Sequence, residues 1–310
     1  MKCLVTGGAG FIGSHIVTAL VERGDTVRVL DSLSSGSDKN LSHVRNHIEL
    51  LEGDLLDASA VERAVAGVEV VFHEAALASV PRSVEKPLDT HAVCVTGTVQ
   101  LLDAARRAGV RRLVFAGSSS VYGNQPAMSK RETDVLSPLS PYAAAKLAGE
   151  AYCQSFTAVY GLETVVLRYF NVFGPRQDPH SEYSAVIPKF VSLMLRGKRP
   201  IVFGDGQQSR DFTYVADVVR GNLLAAESPR AVGRTFNIAC GRQQSLLQLI
   251  DSINAALGTS IEAEFAPARA GDVRESLADI SAARAALGYE PAIDFDEGLR
   301  RSIEYYRAIA

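Results

Sequence analysis

Lys2-Cys3-Leu4-Val5-Thr6-Gly7-Gly8-Ala9-Gly10-Phe11-Ile12-Gly13 opens the chain with an apolar strand-like run, a glycine turn and the start of a helix. The glycines fit Gly-x-Gly-x-x-Gly from Gly8 and Gly-x-x-Gly-x-x-Gly from Gly7. In either register they let backbone approach a pyrophosphate at a helix N-terminus, where unpaired amides and the helix dipole favour negative charge. Beyond the turn, Ile12, Ile16 and Leu20 recur at helical spacing, and Gly24 ends the helix. Further strands are predicted over Thr26 to Asp31, Ile48 to Glu52, Val68 to His73, Arg112 to Ala116 and Thr164 to Arg168, with helical patterns between them. Such alternation predicts an α/β fold, a doubly wound parallel sheet with helices on both faces. No internal repeat or low-complexity linker is visible, so a second lobe must come from later segments. The expected division is a dinucleotide-binding domain over 1–170 and a smaller, interleaved α/β lobe drawn mainly from 171–310. One later strand, near 236–240, is expected to return to the main sheet. Leu246, Leu249, Ile250 and Ile253 mark a helix with one apolar face after it.

Asp31 ends the second strand, where a carboxylate can accept hydrogen bonds from an adenosine ribose. It would repel a ribose phosphate, so NAD is expected over NADP. Asp54-Leu55, after the third strand, offers an adenine contact, although an Asp at a strand end also serves as a helix cap. The chain has 310 residues and a formal net charge of −3, without a basic run, which argues against nucleic acid as a partner. No charged-then-apolar leader and no bilayer-length apolar run stand in it, so a cytoplasmic protein with no membrane partner is expected. Cys3, Cys94, Cys153 and Cys240 lie far apart, with no Cys-x-x-Cys and no His at metal-ligand spacing. Four reduced thiols and no metal site are expected.

Two later stretches carry chemistry. Gly117-Ser118-Ser119-Ser120-Val121-Tyr122-Gly123 follows the fifth strand, beyond whose carboxyl end a doubly wound sheet binds ligands. In Ser140-Pro141-Tyr142-Ala143-Ala144-Ala145-Lys146, Ser140 can cap a helix and Pro141 suits its first turn. Residues four apart share a helix face, so the Lys146 ammonium can sit near the Tyr142 hydroxyl and stabilise negative charge there. Either stretch alone fits a polar turn or a plain helix start. Taken with the glycine turn and Asp31, their order matches a dinucleotide enzyme with a Ser-Tyr-Lys site.

These residues, in this order, resemble the extended short-chain dehydrogenase/reductase family, and within it the nucleotide-sugar 4-epimerases. The resemblance runs nearly the whole length. It includes Gly7-x-x-Gly10-x-x-Gly13, Asp31, Asp54, His73-Glu74-Ala75-Ala76, Ser118 to Gly123, Tyr142-x-x-x-Lys146, Leu167-Arg168-Tyr169-Phe170-Asn171, Arg210-Asp211-Phe212 and Gly271-Asp272-Val273. Gly174-Pro175-Arg176-Gln177-Asp178-Pro179, followed by Ala185-Val186-Ile187-Pro188, is similar to the branch that handles N-acetylated UDP-hexoses. The resemblance implies a Rossmann-type domain with a nucleotide-sugar-binding lobe. It implies NAD contacts at Gly7, Gly10, Phe11, Ile12, Gly13, Asp31, Asp54, Leu55, Ala75, Tyr142 and Lys146. Tyr142 would be the base, Lys146 would bind the nicotinamide ribose, and Ser118 would hydrogen-bond the sugar 4-hydroxyl. Ser119, Ser120, Asn171, Arg210, Arg269 and Ser276 would face the UDP-hexose, with the two arginines on its diphosphate. Arg269, like Arg274, could equally be a solvated surface charge. Relatives usually form homodimers through two helices, for which Leu101, Ala105 and Phe156 are available here, as they are for the internal core.

The implied chemistry is epimerisation through a transient 4-keto sugar. Relatives that eliminate water or carbon dioxide carry acidic residues just after the position of Ser118, and serines stand there in this chain. A uronate substrate is disfavoured by the neutral amide at Asn171. In the family a bulky aromatic five residues after the Gly of Gly271-Asp272 narrows the hexose pocket. Here the position is Ser276, which leaves room for an N-acetyl group. A non-catalytic NAD-binding regulator typically loses the Tyr or Lys that this chain keeps, and a one-way NADPH reductase fits poorly with Asp31. Three positions depart from the usual pattern. Cys94 replaces an Asn, Met128-Ser129 an apolar-Pro pair, and Glu74 a common Leu. The Glu74 carboxylate is expected to be paired or solvent-facing, because burying it alone would be costly.

Overall fold

The computed structural model describes residues 1–125, 129–179, 185–268 and 274–309. Its first half alternates β1 (Lys2–Thr6), α1 (Phe11–Glu22), β2 (Thr26–Asp31), β3 (Ile48–Glu52), α2 (Ala58–Val65), β4 (Val70–His73), α3 (Val80–Glu85), α4 (Pro87–His91), α5 (Gly97–Arg107), β5 (Arg112–Ser118), α6 (Pro141–Tyr160) and β6 (Glu163–Tyr169). The second half runs β7 (Val172–Phe173), α7 (Val186–Leu195), β8 (Ile201–Phe203), β9 (Ser209–Arg210), β10 (Thr213–Tyr214), α8 (Val215–Glu227), β11 (Arg234–Ile238), β12 (Gln244–Ser245), α9 (Leu246–Leu257), β13 (Glu264–Ala266), β14 (Glu275–Ser276), α10 (Ser281–Leu287) and α11 (Phe295–Ile309).

Seven strands form one parallel sheet in the order β11-β6-β5-β4-β1-β2-β3. The chain builds outward from β1 in one direction through β3 and then in the other from β4, so β1 and β4 flank the topological switch point. Ligands of doubly wound sheets bind at that crevice. The sequence places the strands well, with two informative differences. Val68 is not yet strand, because its amide closes the turn after α2 on the Val65 carbonyl at 3.1 Å. The pairing of β5 with β6 also runs further than expected, setting Ser118 opposite Tyr169.

Two apolar layers cover the sheet. Val5, Val29, Phe72, Val114 and Leu167 pack on one face under Ile16, Leu20 and Val218. Leu4, Val71, Leu113, Phe115 and Val166 pack on the other with Val61, Leu101, Ala105 and Phe156. Leu101, Ala105 and Phe156, the sequence's candidates for a dimer surface, are therefore core residues. Two buried arginines lock helices to this frame by donating to the carbonyls at helix C-termini, where the helix dipole favours a cation. Arg28 reaches Arg63, Ala64 and Ala66, and Arg112 reaches Ala225, Ala226 and Ser228.

Apart from α8, β11 and α10, which pack with the main sheet, the segments after β6 build a second layer of structure beside the sheet's carboxyl edge. Short strands β7 with β10, β9 with β12 and β14, and β8 with β13 enclose a core of Phe173, Phe190, Val202, Phe212, Tyr214, Leu249, Ile253 and Leu299. One buried carboxylate ties this part together. Asp211 accepts amide hydrogen bonds from Cys240 and Gly241, both at 2.9 Å, and from Ala278 at 3.2 Å. Its burial pushes the carboxyl up to about 6 even so. Deeper in the sheet, Glu150 on α6 takes a fork of two bonds from Arg168, both side chains being buried. Removing one partner of such a pair leaves an uncompensated charge at a cost of roughly 3–5 kcal/mol, whereas the intact pair adds little net stability. Its role is positional, because Arg168 also donates to Tyr122 at 2.7 Å, and Tyr122 donates in turn to Asn237 at 2.7 Å. No helix among the described residues is long and apolar enough to cross a membrane.

Candidate active site

The glycine turn is built so closely that no other residue fits its key positions. Gly7 has φ +67°, and a Cβ there would lie 2.7 Å from the Ala75 backbone. A Cβ on Gly13 would lie 2.2 Å from the Gly7 carbonyl oxygen. The turn thus seats α1 directly against the end of β1, and Gly10 brings no side chain to cap the helix. The amides of its first turn, including Phe11 and Ile12, have no partner within the helix and are presented to an anion. Asp31 ends β2 as expected, buried, with its carboxylate accepting from the amides of Ala9 at 2.9 Å and Leu33 at 2.8 Å. Two carboxylate oxygens offer about four acceptor sites, so capacity remains for ribose hydroxyls. A dinucleotide fits this cradle. Asp54 is exposed and accepts from Leu56 in a local turn. The Leu55 side chain is buried against Gly97, so Leu55 can meet an adenine only through its backbone.

At the other end of the crevice, α6 begins as the sequence predicts. Ser140 caps it by accepting from the Ala143 amide at 3.1 Å, and Pro141 stands in the first turn. Lys146 is 4 % exposed, and its ammonium donates to the Ala116 carbonyl near the end of β5 at 2.8 Å. It lies 5.0 Å from the Phe115 ring centre and 6.0 Å from that of Tyr142. Ser118 ends β5, its Oγ 2.8 Å from that of Ser120 and accepting from the Ser120 amide at 3.2 Å.

A cavity of about 740 Å³ opens from this corner. Ser118, Ser119, Ser120 and Tyr142 line one part of it, and Asn171, Arg210 and Ser276 line others. Strand pairing explains the meeting of the last two, since Ser276 on β14 is the register partner of Arg210 on β9. Asn171 follows β6 with φ +22°, an uncommon value for a residue with a Cβ, and its carbonyl accepts from Thr213 at 3.2 Å. Arg269, Gly271-Asp272-Val273 and Met128 lie outside the described residues. Arg274 is an exposed surface cation forked onto Asp205. Cys94 is buried against Val95 and Ala145.

Two buried groups near the crevice are excluded as catalysts by their partners. His73 bonds Thr6 at 2.8 Å and Thr98 at 2.9 Å, and Thr98 donates to the Cys94 carbonyl. With the Thr98 proton so committed, His73 Nε2 carries the donor and the ring is neutral. Burial and Lys146 hold it down to about 3. The Tyr169 hydroxyl donates to Glu74 at 2.8 Å, and burial holds it well above the ordinary phenol value. Glu74 is therefore paired, one of the two arrangements expected for it.

The sequence did not signal Gln208. It is buried at the cavity wall, its Nε2 donates to the Phe203 carbonyl, and its Oε1 has no partner among the described residues. The tertiary register of the second lobe creates that acceptor, and no local pattern marks it. Val80, Pro81 and Phe203 complete the wall and were likewise unmarked.

The model of the NAD dependent epimerase/dehydratase family matches residues 3–239. A UDP-glucose 4-epimerase of Mycolicibacterium smegmatis is 42% identical over 311 residues, covering 99% of each chain. The UDP-N-acetylglucosamine 4-epimerase of Methanobrevibacter ruminantium, solved in complex with UDP-N-acetylmuramic acid, superposes with a TM-score of 0.96 at 41% identity, over 100% of this chain and 99% of that one. The Thermus thermophilus UDP-glucose 4-epimerase complex with NAD gives 0.92 at 38% identity, over 100% of both chains. The Gly13 contact sets a test of the cradle. Gly13→Ala should purify with its bound dinucleotide reduced by an order of magnitude or more, read from nucleotide released on denaturation, while keeping its circular dichroism spectrum.

Proposed function

Because this chain belongs to the NAD dependent epimerase/dehydratase family, we propose that it interconverts the 4-epimers of UDP-hexoses, both UDP-glucose with UDP-galactose and UDP-N-acetylglucosamine with UDP-N-acetylgalactosamine. The observation that carries the reading is a single cavity reaching from Ser118 and Tyr142 to Arg210 and Ser276, with serines rather than carboxylic acids at 119 and 120. A bound NAD would supply the hydride acceptor and donor for carbon 4 of the sugar. Tyr142 takes the proton of the 4-hydroxyl and gives it back, acting as base and then acid. Lys146, held by the Ala116 carbonyl, supplies the positive charge that stabilises the tyrosine oxygen while it lacks that proton. Ser118 orients the 4-hydroxyl from the opposite side of the cavity corner. Asn171 and Arg210 bind the nucleotide diphosphate, so the hexose alone is free to turn and offer its other face. Without a carboxyl group beside Ser118, no group there moves a proton at the neighbouring carbon, and the keto sugar keeps its substituents.

Arg210 and Ser276 are neighbours across β9 and β14, so a side chain at 276 projects beside the diphosphate site. Serine leaves space there for an acetamido group. We infer a cytoplasmic setting, supported by four cysteines without disulfides. A homodimer would use the apolar residues that α6 leaves exposed, Tyr152, Val159 and Tyr160, in place of the core residues named from the sequence. Tyr142→Phe should keep its NAD and lose turnover by at least a thousandfold, measured as conversion of UDP-glucose; retention of activity would remove Tyr142 from the reaction. Ser276→Tyr should abolish turnover of the acetylated pair while sparing the other, and equal loss of both would sink the pocket assignment.

A further inference from the structure

Glu74 is a half-buried carboxylate to which the fold gives a defined position. It follows β4 directly, across the switch point from the glycine turn. Its amide donates to the Thr6 carbonyl at 3.1 Å, and a Cβ on Gly7 would lie 3.0 Å from its carbonyl carbon. The side chain spans the end of β5 to reach β6, where the Tyr169 hydroxyl donates to Oε1 at 2.8 Å. Tyr169 is the strand partner of Ser118 and lines the sugar cavity. Glu74 thus stands between the phosphate cradle and the Ser118, Tyr142 and Lys146 corner, along the stretch a dinucleotide must cross to join them.

The groups around the carboxylate are few. From α8, Asn222 donates its Nδ2 to the Tyr169 oxygen at 2.8 Å and to the Val218 carbonyl at 2.9 Å; of the two acceptors within reach of the Tyr169 hydroxyl, Glu74 at 2.8 Å is nearer than Asn222 Oδ1 at 3.1 Å. Burial pushes the carboxyl up to about 7, against the Tyr169 hydrogen bond and, from α6, the Lys146 ammonium, both of which favour the ionised form. Thr6 at the end of β1 and Gly7 after it adjoin the Glu74 backbone, and neighbouring His73 is neutral and turned to Thr6 and Thr98. Glu74 is half-buried. A nicotinamide ring seated at this edge would meet its charge with little water between.

We propose that Glu74 sets the redox preference of the bound nicotinamide, its negative charge favouring the cationic oxidised ring over the neutral reduced one. The inference rests on the NAD-binding part of the functional reading and not on the identity of the sugar. A hydride from an external donor would add two electrons and one proton to the ring and remove the cation that faced Glu74; near neutrality, where the carboxyl titrates, Glu74 would then take up one proton from solvent, and at higher pH it stays ionised. Keeping the ring oxidised between turnovers guards an epimerase against stalling when a keto sugar escapes.

The test is the reduction potential of NAD in the purified holoprotein, followed by dihydronicotinamide absorbance against mediator dyes with no sugar present. A wrong sugar assignment therefore leaves it unaffected. Above pH 7, where Glu74 is ionised, the native protein should favour oxidised cofactor on the order of tenfold more than Glu74→Gln, or about 30 mV for a two-electron couple. The gap should close as pH falls below that value. Glu74→Gln keeps an acceptor for Tyr169, and Glu74→Leu, which does not, should match it. Equal potentials in the native protein and Glu74→Gln, a gap equally wide on both sides of pH 7, or a shift in Glu74→Leu alone would overturn the proposal.

Discussion

A buried ammonium is the constraint on which the site depends. Lys146 is almost wholly removed from water, its ammonium donates to the Ala116 carbonyl, and no carboxylate among the described residues forms an ion pair with it. A charge so placed is expensive, and the expense is lowered by any negative charge that develops close by. Tyr142 and the Glu74 carboxyl are two groups near it where such charge can appear. The proposed proton transfer draws on that cation directly, and the proposed control of the cofactor places the Glu74 charge beside it. It is held by features distributed along the chain: the Ser140 cap that starts α6, the four-residue spacing to Tyr142, and the sheet that fixes the end of β5.

The rest of the molecule divides between holding and admitting. The parallel sheet, its two apolar layers and the arginines closing α2 and α8 make a rigid frame whose carboxyl edge carries the cradle and the Ser118 corner. The segment around Asp211 brings Arg210, Ser276 and Ala278 together by backbone pairing and three amide bonds to one carboxylate. Its short strands leave a cavity at the join. Firm grip on a diphosphate and loose grip on a hexose are what an epimerase requires, and the proposed function assigns them to different elements of the fold.

The frame was largely legible in the sequence because its signals are local. The glycine turn, the strand periodicity and the Ser140-Pro141 helix start each depend on residues within a few positions of one another, and all three take their expected form. The placement of Tyr142 and Lys146 one turn apart at the start of α6 was legible for the same reason. What escaped depends on contacts between distant residues. The pairing of Glu74 with Tyr169 spans 95 residues, so the sequence could state only that the carboxylate needed a partner. Gln208 becomes a wall of the cavity only once β9 lies beside β12 and β14. Leu101, Ala105 and Phe156 look alike as core or as interface, and only the second apolar layer reveals them as core.

The measurement that bears most directly on the account is proton NMR of the anomeric signals when purified protein, with no NAD added, is mixed with UDP-glucose and separately with UDP-N-acetylglucosamine. The account requires each to convert to a mixture with its 4-epimer and to no other product. Absence of exchange with both sugars, or formation of a dehydrated or decarboxylated product, would contradict it.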